Sequence, residues 1–264
     1  MVSFRTTGRA AFALVLAGFC AAAPAVSAHA ENMPEAPALF APVPPAQGSA
    51  MDAYDRKVFA ETRALKDTPR WALARSDADA RPEALLADFS CAVGHSLTPE
   101  TAPALFKLVS ALRDAVKAQV KIQKDIVRRP RPFVGNDAPI CVARKADAAA
   151  DYAYPSGHAT TGWSAALLLS SLFPAHAGQI LARGREYGES RVVCGVHWAS
   201  DVWAGFVTGG VVFAQFVSDP AHADLLDAAR REIAAQQQLS GGLDQKRCTT
   251  EDQGRMVAPL TGTP

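Results

Sequence analysis

The sequence has no excess of charge of either sign. It carries 27 Lys and Arg against 26 Asp and Glu, and the basic residues are scattered rather than massed. That argues against a nucleic-acid binder or a protein held on an anionic membrane surface, so no nucleic-acid partner is expected. There is no internal repeat, and no convincing strand-like alternation between Met51 and Phe89. Long apolar runs are few. Val202 to Ser218 is uncharged over 17 residues but includes Trp203, Gln215 and two adjacent glycines, and the uncharged stretch Ala159 to Ala182 is broken by Pro174 and His176. Both read as helices buried in a protein core, apolar all round for that reason, and stable membrane insertion is not expected.

What is present suits one sizeable folded body, with 49% hydrophobic and 20% charged residues in 264. Residues 1–30 read as a secretory signal. Arg5 and Arg9 precede the apolar run Ala10 to Ala23, and Ala28-His29-Ala30 offers small residues at the positions a signal peptidase requires. Its removal takes away two basic residues and no acid, leaving 25 bases to 26 acids. A periplasmic location follows as the expectation. Export permits disulfides, and four cysteines remain after the signal: Cys91, Cys141, Cys194 and Cys248. Four allow two bridges in any of three connectivities.

Residues 31–50 read as a proline-rich extended arm, with five prolines between Pro34 and Pro45. Residues 51–239 read as a helical domain. Thr68-Pro69 and Arg81-Pro82 break its first part, and Thr98-Pro99-Glu100 starts a helix whose apolar row is Leu105, Leu108, Leu112, Val116 and Val120. Further helices are expected from Ser156 to Phe173, Ile180 to Arg191, Ser200 to Val217 and Leu225 to Gln238. Residues 240–264 read as an irregular tail, tethered by Cys248. The fold class is all-α, a single-domain helical bundle.

Three segments carry chemistry in combination. The first is Lys124, six residues, then Arg131-Pro132; the second is Pro155-Ser156-Gly157-His158; the third is Ser190-Arg191, five residues, His197, three residues, Asp201. Ser156 is a good helix cap, Gly157 lets backbone approach a ligand, and the free N–H groups of that helix start favour an anion. Lys124, Arg131 and Arg191 supply three cations, and the arginine fork suits phosphate oxygens. If a helix begins near His197, the four-residue spacing puts His197 and Asp201 on one face, where the carboxylate would fix the imidazole tautomer and free the other nitrogen as a nucleophile.

At these segments the chain resembles the type 2 phosphatidic acid phosphatase superfamily, which includes the vanadium haloperoxidases. Tyr154 to His158, and Gly188-Glu189-Ser190-Arg191 through Val193-Cys194-Gly195 to His197-Trp198, make it most similar to the bacterial class A non-specific acid phosphatases. The resemblance implies a helical bundle and an exported phosphomonoesterase of broad range that needs no metal or other cofactor. Residue by residue, it implies that His197 attacks phosphorus, Asp201 orients His197, and His158 protonates the leaving alcohol. Lys124, Arg131, Arg191, Ser156 and the Gly157 N–H would hold the phosphoryl oxygens. It also implies a Cys141–Cys194 bridge, which leaves Cys91 with Cys248. The partner is then a small phosphomonoester, an acid pH optimum is expected, and a homo-oligomer is compatible with the sequence. Three other readings stay open: a haloperoxidase, which would oxidise bromide after vanadate loading; an integral lipid phosphatase, which would partition into detergent; and a non-catalytic phosphate binder, which would bind without turnover.

Overall fold

In a computed structural model, residues 40–144, 151–236 and 242–255 are described. The expected signal, residues 1–30, lies outside them. The elements are helices α1 (Ala50–Thr62), α2 (Pro69–Ser76), α3 (Pro82–Val93), α4 (Pro103–Val127), α5 (Gly157–Leu172), α6 (Ala177–Val193), α7 (Ala199–Ser218), α8 (Ala223–Gln236) and α9 (Gln245–Gly254). No strand occurs among the described residues, and the chain is all-α.

The two prolines that break the N-terminal part act as helix starters. Pro69 and Pro82 each occupy the first turn, where the missing N–H costs nothing, and the Thr68 side chain caps α2 at the Trp71 N–H. The long helix differs from expectation at its start. Thr98 and Thr101 bond each other's main-chain N–H at 3.2 and 2.9 Å, closing a local turn, so α4 begins five residues later at Pro103. Its cap residue, Ala102, has no side-chain acceptor. Glu232 from α8 takes that place, accepting from the Ala104 and Leu105 N–H groups at 2.7 and 3.0 Å. The apolar row Leu105 to Val120 is buried as its spacing predicts.

The centre is α5, packed mainly against α6 and α7. Close approach depends on Gly205, where an added Cβ would stand 2.8 Å from both the Ser156 carbonyl and the Ala159 Cβ. Leu168, Leu169, Ile180, Tyr187 and Val212 join the α4 row in one buried cluster. One helix among the described residues, α7, is long and apolar enough to cross a membrane, and half of that stretch is buried inside the bundle.

The tail expected to be irregular contains a helix. Asp244 caps α9 at the Arg247 N–H, and Cys248 is bonded to Cys91. Arg247 reaches Asp88 at 2.7 Å, and the Glu251 carboxylate lies 3.6 Å from Arg183. A composition rich in Gln, Thr and Asp reads as loop, but these tertiary contacts outweigh that local preference. The second bridge joins Cys141 to Cys194. At the other end, the Tyr154 hydroxyl donates to the Pro42 carbonyl, holding part of the proline-rich stretch against the body.

Candidate active site

Three helix termini converge. The α6 C-terminus carries Ser190 and Arg191, the loop 194–198 carries His197, and α7 begins beside the start of α5, where the Ser156 N–H donates to the Asp201 carbonyl at 2.9 Å. The loop must turn sharply, and Gly195 allows it. Its φ is +76°, and an added Cβ would meet the Arg63 guanidinium at 2.4 Å. Arg63 in turn donates to the Val192 and Val193 carbonyls at 2.9 and 2.7 Å, closing the end of α6. The Cys141–Cys194 bridge and the Cys141 N–H, bonded to the Cys194 carbonyl, brace the same loop.

His197 and Asp201 meet, though not on one helical face. His197 lies before the helix, and Asp201 in its first turn reaches back so that Oδ2 accepts from the Trp198 N–H at 2.8 Å. That leaves Oδ2 3.5 Å from His197 Nδ1, longer than a hydrogen bond, as catalytic contacts often are without ligand. The other nitrogen, Nε2, is 3.0 Å from Arg131 Nη1. An arginine can only donate, so Nε2 accepts and the proton sits on Nδ1, facing Asp201. Burial, then Arg131 and Lys124, hold the imidazole well below its ordinary pKa. Burial pushes Asp201 up to about 6, against the pull of Arg129.

The three cations surround this histidine. Arg131 is fixed by main-chain acceptors, its Nε on the Asp151 carbonyl at 2.8 Å and its Nη1 on the Val196 carbonyl at 2.7 Å. Lys124, on the last turn of α4, is 20% exposed; burial, then Arg131, lower its pKa. Arg191 is 5% exposed, and its Nε and Nη1 are buried without a hydrogen-bond partner among the described residues. Burial pushes it down to about 10. A buried guanidinium with idle donors is costly unless an anion completes it.

Ser156 caps α5 through Ala159, and Gly157 follows at the helix start. His158 Nε2 is 2.9 Å from the Ala78 carbonyl, so Nε2 carries hydrogen and Nδ1 keeps the lone pair. Burial, then Arg191, push its pKa down to about 3, and Arg131 and Lys124 act in the same direction. Lys124, Gly157 and His158 line a cavity of about 350 Å³, with Val116, Val120, Lys117 and Asp151 among its other walls. Among the described residues, no group of three or more His, Cys, Asp or Glu is placed to hold a metal ion.

The structure thus brings the eight residues singled out in the sequence to one place. It also adds residues the motifs did not reveal. Asp151 Oδ1 lies 2.9 Å from Arg131 Nη2 and 3.4 Å from Lys124 Nζ. Arg129 bridges Asp201 Oδ1 at 2.6 Å and Asp55 Oδ2 at 2.8 Å, while the Ser200 N–H donates to Asp55 Oδ1 at 2.8 Å. The one sequence signal for Arg129 is its place in the basic run Arg128 to Arg131 just after a helix; Asp55, 74 residues from Arg129, carries none.

Comparison with known proteins agrees with this geometry. The PAP2 superfamily matches residues 104–221, a range that contains all three motifs. An acid phosphatase of Zymomonas mobilis is 36% identical over 239 residues, covering 87% of this chain and 90% of the relative. Non-specific acid phosphatases of Providencia stuartii and Salmonella typhi are 35% and 32% identical, over 73% and 83% of this chain and 79% and 89% of their own. With likeness at that level across most of its length, the chain belongs to the PAP2 superfamily, among the non-specific acid phosphatases.

Proposed function

We propose that the chain is an exported, metal-independent acid phosphatase that hydrolyses phosphomonoesters of broad type through a phosphohistidine on His197. The observation that carries this reading is Arg191, buried with two idle donors beside a histidine whose far nitrogen faces a carboxylate. A phosphoryl group supplies the missing charge. Phosphoryl transfer depends on positioning and charge stabilisation, which three cations and a helix start provide.

His197 Nε2 attacks phosphorus and the bond to the ester oxygen breaks, while His158 Nδ1 gives its proton to the leaving alcohol. Arg131 releases Nε2 and turns its N–H to a phosphoryl oxygen. Asp201 balances the charge on the imidazole. Water then attacks phosphorus, the P–N bond breaks, and His158 takes the proton from the water. Burial, then the surrounding cations, keep His158 neutral; an incoming dianion offsets the cations and raises its pKa. Substrate binding therefore takes up a proton, which favours an acid optimum. The leaving group faces the cavity walled by Val116 and Val120 and by the polar side chains of Arg113, Lys117, Lys121 and Tyr152.

The test is a panel of phosphomonoesters assayed from about pH 4 to about pH 8, with wild type and His197→Ala, with and without chelator. Acid-side hydrolysis that survives chelator and vanishes in the variant is expected. Loss of activity in chelator, or full activity in the variant, overturns the mechanism. Export is tested by the N-terminus of the periplasmic protein, expected after Ala30.

A further inference from the structure

Of the three cations around the phosphoryl site, two already have an anion. Asp151 Oδ1 lies 2.9 Å from Arg131 and 3.4 Å from Lys124, so a carboxylate occupies the edge of the cradle that a phosphoryl oxygen would use. Its side chain is 38% exposed, against 10% for Arg131 and 20% for Lys124, so it approaches them from the solvent side. It also lines the cavity shared with Lys124, Gly157 and His158. Burial tends to raise its pKa, but Arg131 and then Lys124 outweigh that, so the group is charged.

Such a carboxylate has two conceivable roles, and the hydrogen bonds separate them. A tether would be what holds Arg131 in place. Here Arg131 is held without it, because Nε and Nη1 already donate to the main-chain carbonyls of Asp151 and Val196. The carboxylate takes only Nη2, the part of the fork those acceptors leave open. Arg191 lacks any such partner at Nε and Nη1 among the described residues.

We propose that Asp151 is an internal competitor of substrate, a built-in anion that occupies Lys124 and Arg131 in the empty site, yields to the phosphoryl group, and returns as phosphate leaves. The role rests on the phosphatase reading above. When a site must first be vacated, apparent affinity is reduced by the fraction of molecules in which it is open. That reduction is the same for every ligand that needs the cradle. The competitor thus weakens binding of substrate and product alike, which limits inhibition by product phosphate.

The test is competitive inhibition by inorganic phosphate, with KM for two phosphomonoesters of unrelated leaving groups, in wild type, Asp151→Asn and Asp151→Ala. Both variants are expected to lower the phosphate Ki about two- to fivefold, the scale of one partly exposed ion pair. Both KM values should fall by the same factor. A positioning role alone would do the opposite: Ki and KM would rise as Arg131 and Lys124 lose their partner, and that result overturns the proposal. An unchanged Ki overturns it too. Thermal unfolding of each variant identifies a folding failure, and the Ala variant decides if the Asn variant is the one lost. Wild type that neither binds phosphate nor hydrolyses esters would remove the phosphatase reading itself. Wild type that does both, with variants binding no tighter, would remove only the role of Asp151.

Discussion

Two buried charge clusters lie on either side of the segment Asp77-Ala78, and they are built to opposite rules. One is the proposed phosphoryl site, where Lys124, Arg131 and Arg191 gather round two histidines kept neutral, with the carboxylates of Asp151 and Asp201 beside them. The other is the clasp under α9. There Arg183, 1% exposed, donates to Asp77 at 2.5 and 3.3 Å and to the Asp88 carbonyl at 3.0 Å, and lies 3.6 Å from Glu251. In the clasp each nitrogen of the central arginine has an acceptor and acids are in excess, with Asp88 Oδ2 and Glu251 Oε1 the atoms left buried without a partner among the described residues; in the site, cations are in excess and the idle atoms include the Nε and Nη1 donors of Arg191. Buried charge that is closed upon itself holds a fold together, whereas buried charge left open holds a place for a ligand. The clusters are joined, since Asp77 also contacts the Ser190 hydroxyl next to Arg191, and the Ala78 carbonyl bonds His158. The clasp therefore positions one wall of the site.

The sharpest way to break this comparison is to truncate the central arginine on each side. Arg191→Ala should lower kcat/KM at least about 1,000-fold, with phosphate binding lost, while unfolding changes little because the side chain has no partner to abandon. Arg183→Ala should instead cost about 3–5 kcal/mol of stability, as it leaves Asp77 and its neighbours buried and unanswered. Denaturant unfolding and steady-state kinetics on the same two variants read both effects. The reverse pattern would show that the open cluster is structural and the closed one functional.

Next in size is the staple of the clasp. The Cys91–Cys248 bridge closes a loop across 157 residues of sequence, and replacing both cysteines with serine should cost about 2–5 kcal/mol in unfolding measurements. On the site's side, Gly195→Ala combines a positive φ with a collision against Arg63. It should destabilise by about 1–3 kcal/mol and lower kcat by displacing His197.

Arg129→Ala tests the support behind Asp201. Burial already pushes that carboxyl up to about 6, and Arg129 opposes the rise. Without the guanidinium, Asp201 takes up its proton at higher pH and stops orienting His197. The acid limb of the kcat profile should move upward, with kcat falling about tenfold.

The smallest effect is a difference in pH response. Burial pushes Asp88 up to about 8 and Glu251 up to about 7. Both acids bind protons more tightly in the folded chain than in the unfolded one. Their stabilising contribution is complete below about pH 4 and is lost as pH rises through 7 to 8. His158, pushed down to about 3, has the opposite sign: the unfolded chain takes up a proton below about pH 6.5 that the folded one refuses, so stability falls as pH drops from there. Wild-type Tm should therefore decline from about pH 6 to about pH 8.5, and Asp88→Asn should flatten that decline.

How much of this could be read in advance depended on the distance over which a residue acts. The all-α class and the limits of α5 through α8 follow from local signals: the Ser156 cap, Pro174, Asp219-Pro220 and the uncharged run through α7. The eight residues proposed for the site could be singled out because three short segments each carry their own spacing. Asp201 met His197 for a different reason than helical spacing, through a reach back to the Trp198 N–H. What stayed hidden acts only in three dimensions. Asp55 supports Arg129 from α1, Glu232 caps α4 from α8, and the Asp77-Ala78 turn meets α6 and His158 from across the bundle. The α9 helix is not legible in the sequence because Arg247, Cys248 and Glu251 gain their stabilisation from Asp88, Cys91 and Arg183, which lie 68 to 159 residues away along the chain and leave no local mark.

The central claim is that an open cationic site serves a histidine nucleophile, and trapping the intermediate tests it most directly. Wild-type enzyme turning over a phosphomonoester, quenched rapidly in alkali where phosphohistidine survives, should carry one phosphoryl group on the peptide that contains His197, and His197→Ala should carry none. A phosphoryl group found on another residue, or turnover with no trapped group beside an active His197→Ala enzyme, would contradict the account.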